Sequence, residues 1–265
     1  MAFGQLNKAT RSNEYREIAV ETFENILKKR ENPKGIYNKI YPGTRPGKAF
    51  SVPMILSNLV LEIEHLIDSS QVEEVIEYCK KEVLEVFYQP DSGLLLELTN
   101  PDGSFQDSHE GRLVMPGHSL ESMWFLMDLA IRGDDQELIK KATDISIELL
   151  EYGWDDEYDG LFYMMDIKGH PTQQLEWDQK LWWVHQEAIL TVLKGYMHTG
   201  DKRCWEWFEK LHDYAWKHFS DTEYGEWYGY LNRRGEVLLP LKGGKWRGCF
   251  HTPSFLFRHG KQWIL

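Results

Sequence analysis

The feature that most constrains this chain is a repeated unit, in which a helix, a glycine-bounded β-prone connector and a second helix follow one another. Histidines at corresponding places give the period, because His118, His185 and His251 lie 67 and 66 residues apart. The unit is longer than the TPR and HEAT helical pairs, and those repeats lack such a connector. The pattern predicts an all-α toroid of helical hairpins, closed or partly closed, and an open solenoid is the alternative.

Apolar periodicity and the start and stop residues divide the chain into eight expected helices. They cover residues 14–29, 51–67, 71–88, 117–132, 135–152, 181–198, 202–219 and 251 onward. The β-prone connectors between them are expected to form short hairpins. In a toroid these connectors gather at one end, above a cavity lined by the N-termini of the inner helices. Each of the three histidines falls near such an N-terminus.

Charge and composition exclude several classes of protein. A net charge of −12 argues against a nucleic-acid partner. No apolar run reaches the roughly 18 residues of a membrane span, and the first residues carry no signal-peptide core. Three cysteines, Cys79, Cys204 and Cys249, are too few for a disulfide framework. We therefore expect one domain over residues 1–265, in the cytoplasm, with no nucleic-acid or membrane partner.

The aromatic content indicates a carbohydrate ligand. Aromatic residues make up 14% of the chain, including 11 Trp. Sugars stack their C–H faces on aromatic rings and form hydrogen bonds to neighbouring carboxylates. Core packing is the alternative role for each ring. The candidate stacking residues are Trp124, Trp182, Trp183, Trp227 and Trp246.

Histidines and glutamates near the helix starts are candidates for acid–base chemistry. Two imidazoles facing each other across a pocket can act as general base and general acid near neutral pH. Glu121 follows His118 by three residues, so both can face the same cavity. Glu187 follows His185 by two residues, and side chains at that spacing diverge by about 200° on a helix. Only one residue of the second pair is therefore expected to line the pocket.

Several catalytic motifs are absent from the sequence. It contains neither HExxH nor a Cys–His cluster for a metal. The Gly-Gly-Lys at residues 243–245 lacks the upstream glycine of a P-loop, and no Gly-x-Ser-x-Gly nucleophile elbow is present. Two chemistries remain open at this point. One is metal-free acid–base chemistry on a neutral polyol, and the other is hydrolysis by paired carboxylates.

Three blocks of sequence resemble the N-acylglucosamine 2-epimerase family. The first is PGHSLE at residues 116–121, followed by WFL at residues 124–126. The second runs from PT at residues 171–172 through LEW at residues 175–177 and KLWW to Glu187. The third runs from EYGEW at residues 223–227 through KGG to GCFHTP. The blocks occur in family order and spacing, and the resemblance covers roughly residues 10–255.

The resemblance implies an (α/α)6 barrel that epimerises a reducing sugar at C2, chiefly N-acetylglucosamine to N-acetylmannosamine. On motif position, His118 and His251 are the two catalytic histidines, which act on opposite faces of C2. Glu121 and Glu187 match positions that support the histidines and bind sugar hydroxyls, while His185 is given a substrate contact at most. No cofactor or metal is required, and ATP as an activator and a homodimer are implied by the resemblance alone.

The chain departs from the family pattern in two ways. Ser254 follows Pro253 where the family usually has an arginine, and the family's N-terminal third has no match. Eight helices make four of the six hairpins of a ring, so we expect an N-terminally truncated, incomplete toroid. The alternatives are a mannose, glucose or cellobiose 2-epimerase, a hydrolase or lyase that uses Glu121 and Glu187, and an inactive sugar- or protein-binding fragment.

Overall fold

The computed structural model describes residues 1–31, 47–248 and 250–252, and this part of the chain is built from helical hairpins. The helices are α1 (Ala2–Thr10), α2 (Asn13–Glu31), α3 (Ser51–Ile63), α4 (Ser69–Lys81), α5 (Pro116–Gly133), α6 (Gln136–Gly153), α7 (Trp182–Thr199) and α8 (Lys202–Phe219). A 3₁₀ turn, Glu64–Leu66, extends α3, and a π-helical turn, Glu82–Phe87, extends α4. Within the described residues, no helix is long and apolar enough to cross a bilayer.

Inner and outer helices alternate, as the repeat predicts. Helix α5 packs against α3, α6 and α7, and α7 packs in turn against α8. Helix α7 buries 14 of its 18 residues, whereas α8 buries 6 of 18, so α7 is an inner helix and α8 an amphipathic outer one. The inner row is therefore α3, α5 and α7, and α4, α6 and α8 cover it from outside.

In the described part of the chain, nine short strands lie in the connectors: β1 (Lys48–Ala49), β2 (Tyr88–Gln89), β3 (Leu94–Leu95), β4 (Leu98–Thr99), β5 (Leu113–Val114), β6 (Met165–Asp166), β7 (Lys180–Leu181), β8 (Tyr230–Leu231) and β9 (Val237–Leu239). All pairings among them are antiparallel. Hairpins inside one connector were the expectation, and β2–β3 and β8–β9 are such hairpins. By contrast, β5 pairs with β6 and β7 with β8, so these strands join successive connectors.

The strands that join connectors fix where the inner helices start. Strand β5 ends two residues before α5, and β7 runs directly into α7. Leu113 is opposite Asp166 and Lys180 is opposite Leu231 in these pairings. The first turns of α5 and α7 are therefore anchored by the connector of the following unit.

The predicted helices agree with the structure apart from their ends and one omission. The expected helix 51–67 ends at Ile63 and continues as a 3₁₀ turn. Helix α1 was not predicted, because it is only nine residues long and includes Gly4, a residue that disfavours helix. It packs against α3, where a Cβ on Gly4 would lie 3.1 Å from the Glu62 carbonyl.

Some predictions fall wholly or partly outside the described residues. These are Cys249, the Pro253-Ser254 departure and, beyond Thr252, the helix predicted from residue 251. Cys79 and Cys204 are both buried, and desolvation raises the pKa of each thiol to about 12. These two cysteines are therefore inert core residues at neutral pH.

Candidate active site

A cavity of about 600 Å³ opens at the first turns of α3, α5 and α7. Its volume is within the range of pockets that bind small molecules. The lining combines aromatic rings, carboxylates and two imidazoles, and no lysine or arginine lines it within the described residues. The lining residues are Met54, Ile55, His118, Glu121, Tyr163, Glu176, Gln179, Leu181, Trp182, Trp183, Tyr230, Trp246, Phe250 and His251.

His118 lies in the first turn of α5 and forms an ion pair with Glu97. Its Nδ1 is 3.1 Å from both carboxylate oxygens of Glu97. The Glu97 backbone is itself fixed, since its N–H donates to the Leu113 carbonyl and its carbonyl accepts from Phe50 N–H. Burial disfavours the imidazolium, but the negative charge of Glu97 outweighs that cost, so the pKa of His118 is raised.

Glu97 is a site residue that sequence reasoning missed. It lies between β3 and β4, in the run Leu94-Leu95-Leu96-Glu97-Leu98. One charged residue in an otherwise apolar run of five was a usable signal, because a carboxylate is rarely buried without a partner. The cavity lining itself draws on the connectors after α6 and α8, which supply Tyr163 and Tyr230 among others.

The second imidazole, His251, is paired with Glu187 of α7. His251 Nδ1 lies 2.7 Å from Glu187 Oε1, and Trp124 Nε1 donates to Glu187 Oε2 at 2.6 Å. Both carboxylate oxygens are therefore held, one by the histidine and the other by a buried indole of α5. A carboxylate fixed in this way orients the imidazole.

The indole of Trp183 contacts the imidazoles of both histidine–glutamate pairs. Its ring centroid is 5.3 Å from that of His118 and 5.2 Å from that of His251, and the His251 ring is stacked on it at 28°. Gly117 makes this close approach of α5 to α7 possible, because a Cβ there would lie 2.6 Å from the Trp183 ring. Close packing of the two helices therefore explains the glycine in the Pro-Gly-His sequence.

Glu121 is buried beside Glu187 in the wall of the cavity. It is 2% exposed, and its Oε1 has no hydrogen-bond partner within the described residues. Burial raises the pKa of Glu121 well above its ordinary value, and the negative charges of Glu187 and Glu97 raise it further. The raised pKa favours the neutral carboxylic acid, which can donate a hydrogen bond into the cavity.

His185, for which we expected a substrate contact, does not line the cavity. It is fully buried, Nε2 accepts from Leu161 N–H at 3.0 Å, and Nδ1 lies 2.8 Å from the Leu181 carbonyl. Burial lowers its pKa to about 3, so the ring is a neutral core residue. Glu187 does not line the cavity either, but its carboxylate pairs with His251, which does, so the side chains of His185 and Glu187 diverge as their spacing predicts.

Trp124 is also placed differently from the expected stacking role. Its ring is 1% exposed and lies outside the cavity lining, and its Nε1 donates a hydrogen bond to Glu187. Trp227, another candidate, packs on Phe219 in the core. Trp182, Trp183 and Trp246 do line the cavity. The position of a tryptophan in the sequence did not show whether its ring lines the cavity or packs in the core, because packing between helices decides which ring reaches the surface of the cavity.

Two ion-pair clamps hold the connectors that carry this site. Lys180, which is fully buried, donates to Asp155 at 3.0 Å, and Asp155 also accepts from Arg233 at 2.8 Å. Burial alone would raise the pKa of Asp155, but these hydrogen bonds lower it to about 2. Asp221, which lies one repeat period after Asp155, pairs with Lys242. The connectors after α6 and α8 are therefore each held by a Lys–Asp ion pair.

Comparison with known proteins gives consistent results. A family model described as N-acylglucosamine 2-epimerase matches residues 1–252. N-acylglucosamine 2-epimerase of Rattus norvegicus is 38% identical over 97% of this chain, and that of Homo sapiens is 36% identical over 97%. The chain spans 62% of the rat protein's length and 61% of the human protein's.

A solved structure shows the same fold. Cellobiose 2-epimerase from Bacillus thermoamylovorans B4167 superposes with a TM-score of 0.82 at 17% identity, over 98% of this chain and 69% of that one. At this identity the likeness concerns the fold alone, and it confirms the predicted (α/α)6-type toroid architecture. Within the described residues the helices do not close a ring.

Proposed function

Because this chain belongs to the N-acylglucosamine 2-epimerase family, we propose that it interconverts N-acetyl-D-glucosamine and N-acetyl-D-mannosamine by moving a proton at C2. One observation carries the proposal: two imidazoles, each paired with a glutamate carboxylate, meet at one cavity against the Trp183 ring. Inverting a stereocentre needs a base on one side and an acid on the other, and two such pairs supply both groups.

The chemistry acts on the open-chain sugar. One imidazole removes the C2 proton, the electrons of that C–H bond form a C1–C2 double bond, and the C1 carbonyl oxygen takes the negative charge. The other imidazolium then protonates C2 from the opposite face, and the roles exchange in the reverse direction. Glu97 stabilises the imidazolium that forms on His118, and Glu187 orients the His251 ring. The C1 carbonyl acidifies the proton, so the step needs no redox cofactor.

Glu121 provides a further group for this reaction. Its carboxyl group lines the cavity, and its raised pKa favours the protonated form, which can donate a hydrogen bond to the oxygen that becomes charged when C2 loses its proton. A donor held in a dry wall stabilises such an oxyanion without having to reorganise. The aromatic walls at Trp182 and Trp183 offer faces for the sugar's C–H groups.

The test is proton exchange at C2 in D2O, followed by NMR of the sugar. The chain is expected to replace the C2 proton of N-acetylglucosamine with deuterium and to form the mannosamine epimer. His118→Asn and His251→Asn are each expected to abolish epimerisation while the helical circular dichroism is kept. One of them can retain exchange on a single face, because one base can remove and return a proton there.

A matched control is His212→Asn, on the exposed side of α8, which should leave exchange unchanged. Full turnover in both active-site variants would contradict the two-histidine mechanism. Sugar binding without any C2 exchange by the wild-type chain would show instead a non-catalytic sugar-binding protein. Parallel assays with mannose, glucose and cellobiose compare the other sugars that the fold accommodates.

The same geometry supports hydrolysis by Glu121 and Glu187 less well than it supports epimerisation. A carboxylate nucleophile or base needs a free oxygen directed at the substrate, whereas both Glu187 oxygens are held by His251 and Trp124. Release of reducing ends from a disaccharide, lost in Glu121→Gln and retained in His118→Asn, would support hydrolysis and contradict the epimerase proposal.

A further inference from the structure

Three potential metal ligands converge in the wall of the cavity. Glu121, Glu187 and His251 each offer one ligand atom, and these atoms lie within 4.8 Å of one another. We propose that this trio binds a divalent transition-metal ion such as Zn²⁺, and that the bound ion blocks the sugar site. The proposal concerns an inhibitory ligand and assigns the metal no part in the epimerisation.

Glu121 gives the independent evidence that something binds here. It is 2% exposed, it faces the cavity, and its Oε1 has no hydrogen-bond partner in the described part of the chain. Buried polar atoms are nearly always paired, so an orphaned carboxylate oxygen marks a place where a ligand supplies the missing contact. A sugar hydroxyl can do so in turnover, and a divalent cation can do so more strongly by displacing the proton of Glu121 and binding its carboxylate.

The electrostatic environment favours a cation. The carboxylates of Glu97 and Glu176 lie close to the trio or along the same lining, and the residues described there include no lysine or arginine. A mixed set of one imidazole and two carboxylates suits Zn²⁺ and its neighbours, whereas Mg²⁺ and Ca²⁺ prefer oxygen ligands alone. The set therefore selects for a transition metal.

The distances require only side-chain adjustment. Tetrahedral Zn²⁺ with bonds of about 2.0–2.1 Å places its ligand atoms about 3.4 Å apart. The hydrogen-bonded pair Glu187 Oε1 and His251 Nδ1, now 2.7 Å apart, has to open by several tenths of an ångström, and Glu121 has to move inward. Trp124 holds the other Glu187 oxygen and so orients this ligand from outside, as partners of metal ligands do. The fourth position faces the cavity.

An ion held there interferes with the sugar in two ways. It takes His251 and Glu121 out of acid–base and hydrogen-bonding work, and it occupies the space that the substrate needs. Zn²⁺ is therefore expected to inhibit epimerisation competitively with the sugar, and EDTA is expected to reverse the inhibition. This inhibition rests on the proposed function, whereas the binding itself does not.

Binding is tested by calorimetric titration of Zn²⁺ into the chain without sugar. The wild type is expected to bind one ion per chain at this site. Glu121→Gln and His251→Asn are each expected to weaken that binding by about tenfold or more, since even loss of an outer partner weakens metal sites to this extent. His212→Asn, which removes an exposed imidazole of α8 outside the cavity, is the matched control and should bind Zn²⁺ as the wild type does.

Two results would overturn the proposal: no Zn²⁺ binding by the folded wild-type chain, or equal binding by the wild type and both trio variants, which would place the ion elsewhere. Since a variant can fail to fold, the wild type is also titrated with Co²⁺, and a visible spectrum of a six-coordinate surface ion would contradict the site. Zn²⁺ binding without C2 exchange would leave this site standing and remove the epimerase proposal. C2 exchange without Zn²⁺ binding would do the reverse.

Discussion

Replacing His185 with glutamine is expected to make the protein lose less stability as the pH falls. His185 is fully buried in α7, with Leu161 N–H donating to Nε2 and Nδ1 directed at the Leu181 carbonyl. Burial lowers its pKa in the folded state to about 3, against 6.5 in an exposed histidine. Glutamine retains an acceptor for Leu161 N–H but takes up no proton.

The magnitude follows from linkage between protonation and folding. Below pH 6.5 the unfolded chain binds a proton at His185 that the folded chain excludes, so stability falls with pH until the folded pKa is reached. At pH 5, about 1.5 pH units below the ordinary pKa, this histidine costs about 2 kcal/mol of the free energy of unfolding. The value does not depend on the folded pKa as long as that lies well below 5.

The assay is urea unfolding at pH 7.5 and pH 5, followed by circular dichroism. The loss of stability between the two pH values should be about 2 kcal/mol smaller in His185→Gln than in the wild type. Comparing pH dependences, rather than absolute stabilities, removes the cost of the substitution itself. His212→Gln, at an exposed histidine of α8, controls for the number of histidines. Equal losses in the wild type and His185→Gln would refute the assignment of His185 as a neutral core residue.

Three further substitutions probe the active site. Trp124→Phe removes a charge-assisted hydrogen bond to Glu187 that is worth about 1.5–3 kcal/mol. The kcat for C2 epimerisation should therefore fall about 10- to 100-fold, with KM nearly unchanged. An equal change in KM would indicate a general loss of packing. Glu97→Gln removes the charge that raises the pKa of His118, so imidazole NMR should show that histidine titrating at lower pH than in the wild type, and an unchanged titration would contradict the ion pair. Gly117→Ala places a methyl group 2.6 Å from the indole that contacts both imidazoles, so thermal unfolding should show a loss of about 1–3 kcal/mol instead of the gain expected for alanine at an ordinary helix position.

Local sequence patterns predicted the helices and their pairing well. Helices α5 and α7 follow from apolar periodicity and from the residues at their starts, which act within one or two turns of chain. The connectors were located for the same reason, since glycines such as Gly160 and Gly225 have positive φ and mark the turns. The partners of the strands were not predictable, because β5–β6 and β7–β8 join segments that are distant in the chain.

At the candidate active site too, the sequence predicted relations between residues close in the chain and missed contacts between distant ones. The sequence placed His118, Glu121 and Glu187 near helix starts at one end of the toroid, because spacing along a helix fixes which side chains share a face. It did not find Glu97, whose role depends on a connector folding over α5. It also did not show that Trp124 supports Glu187, since that contact joins two helices.

The sequence by itself determined the repeat, the order of helices and connectors, and the end of the molecule at which histidines collect, because these depend on short-range periodicity and turn residues. The tertiary structure decided which of the histidines serve the cavity. His118 is the third residue of α5 and His185 the fourth of α7, and one residue on a helix rotates a side chain by about 100°. That rotation turns His118 toward the cavity and its carboxylate partner, and it turns His185 into the core, where burial keeps it neutral.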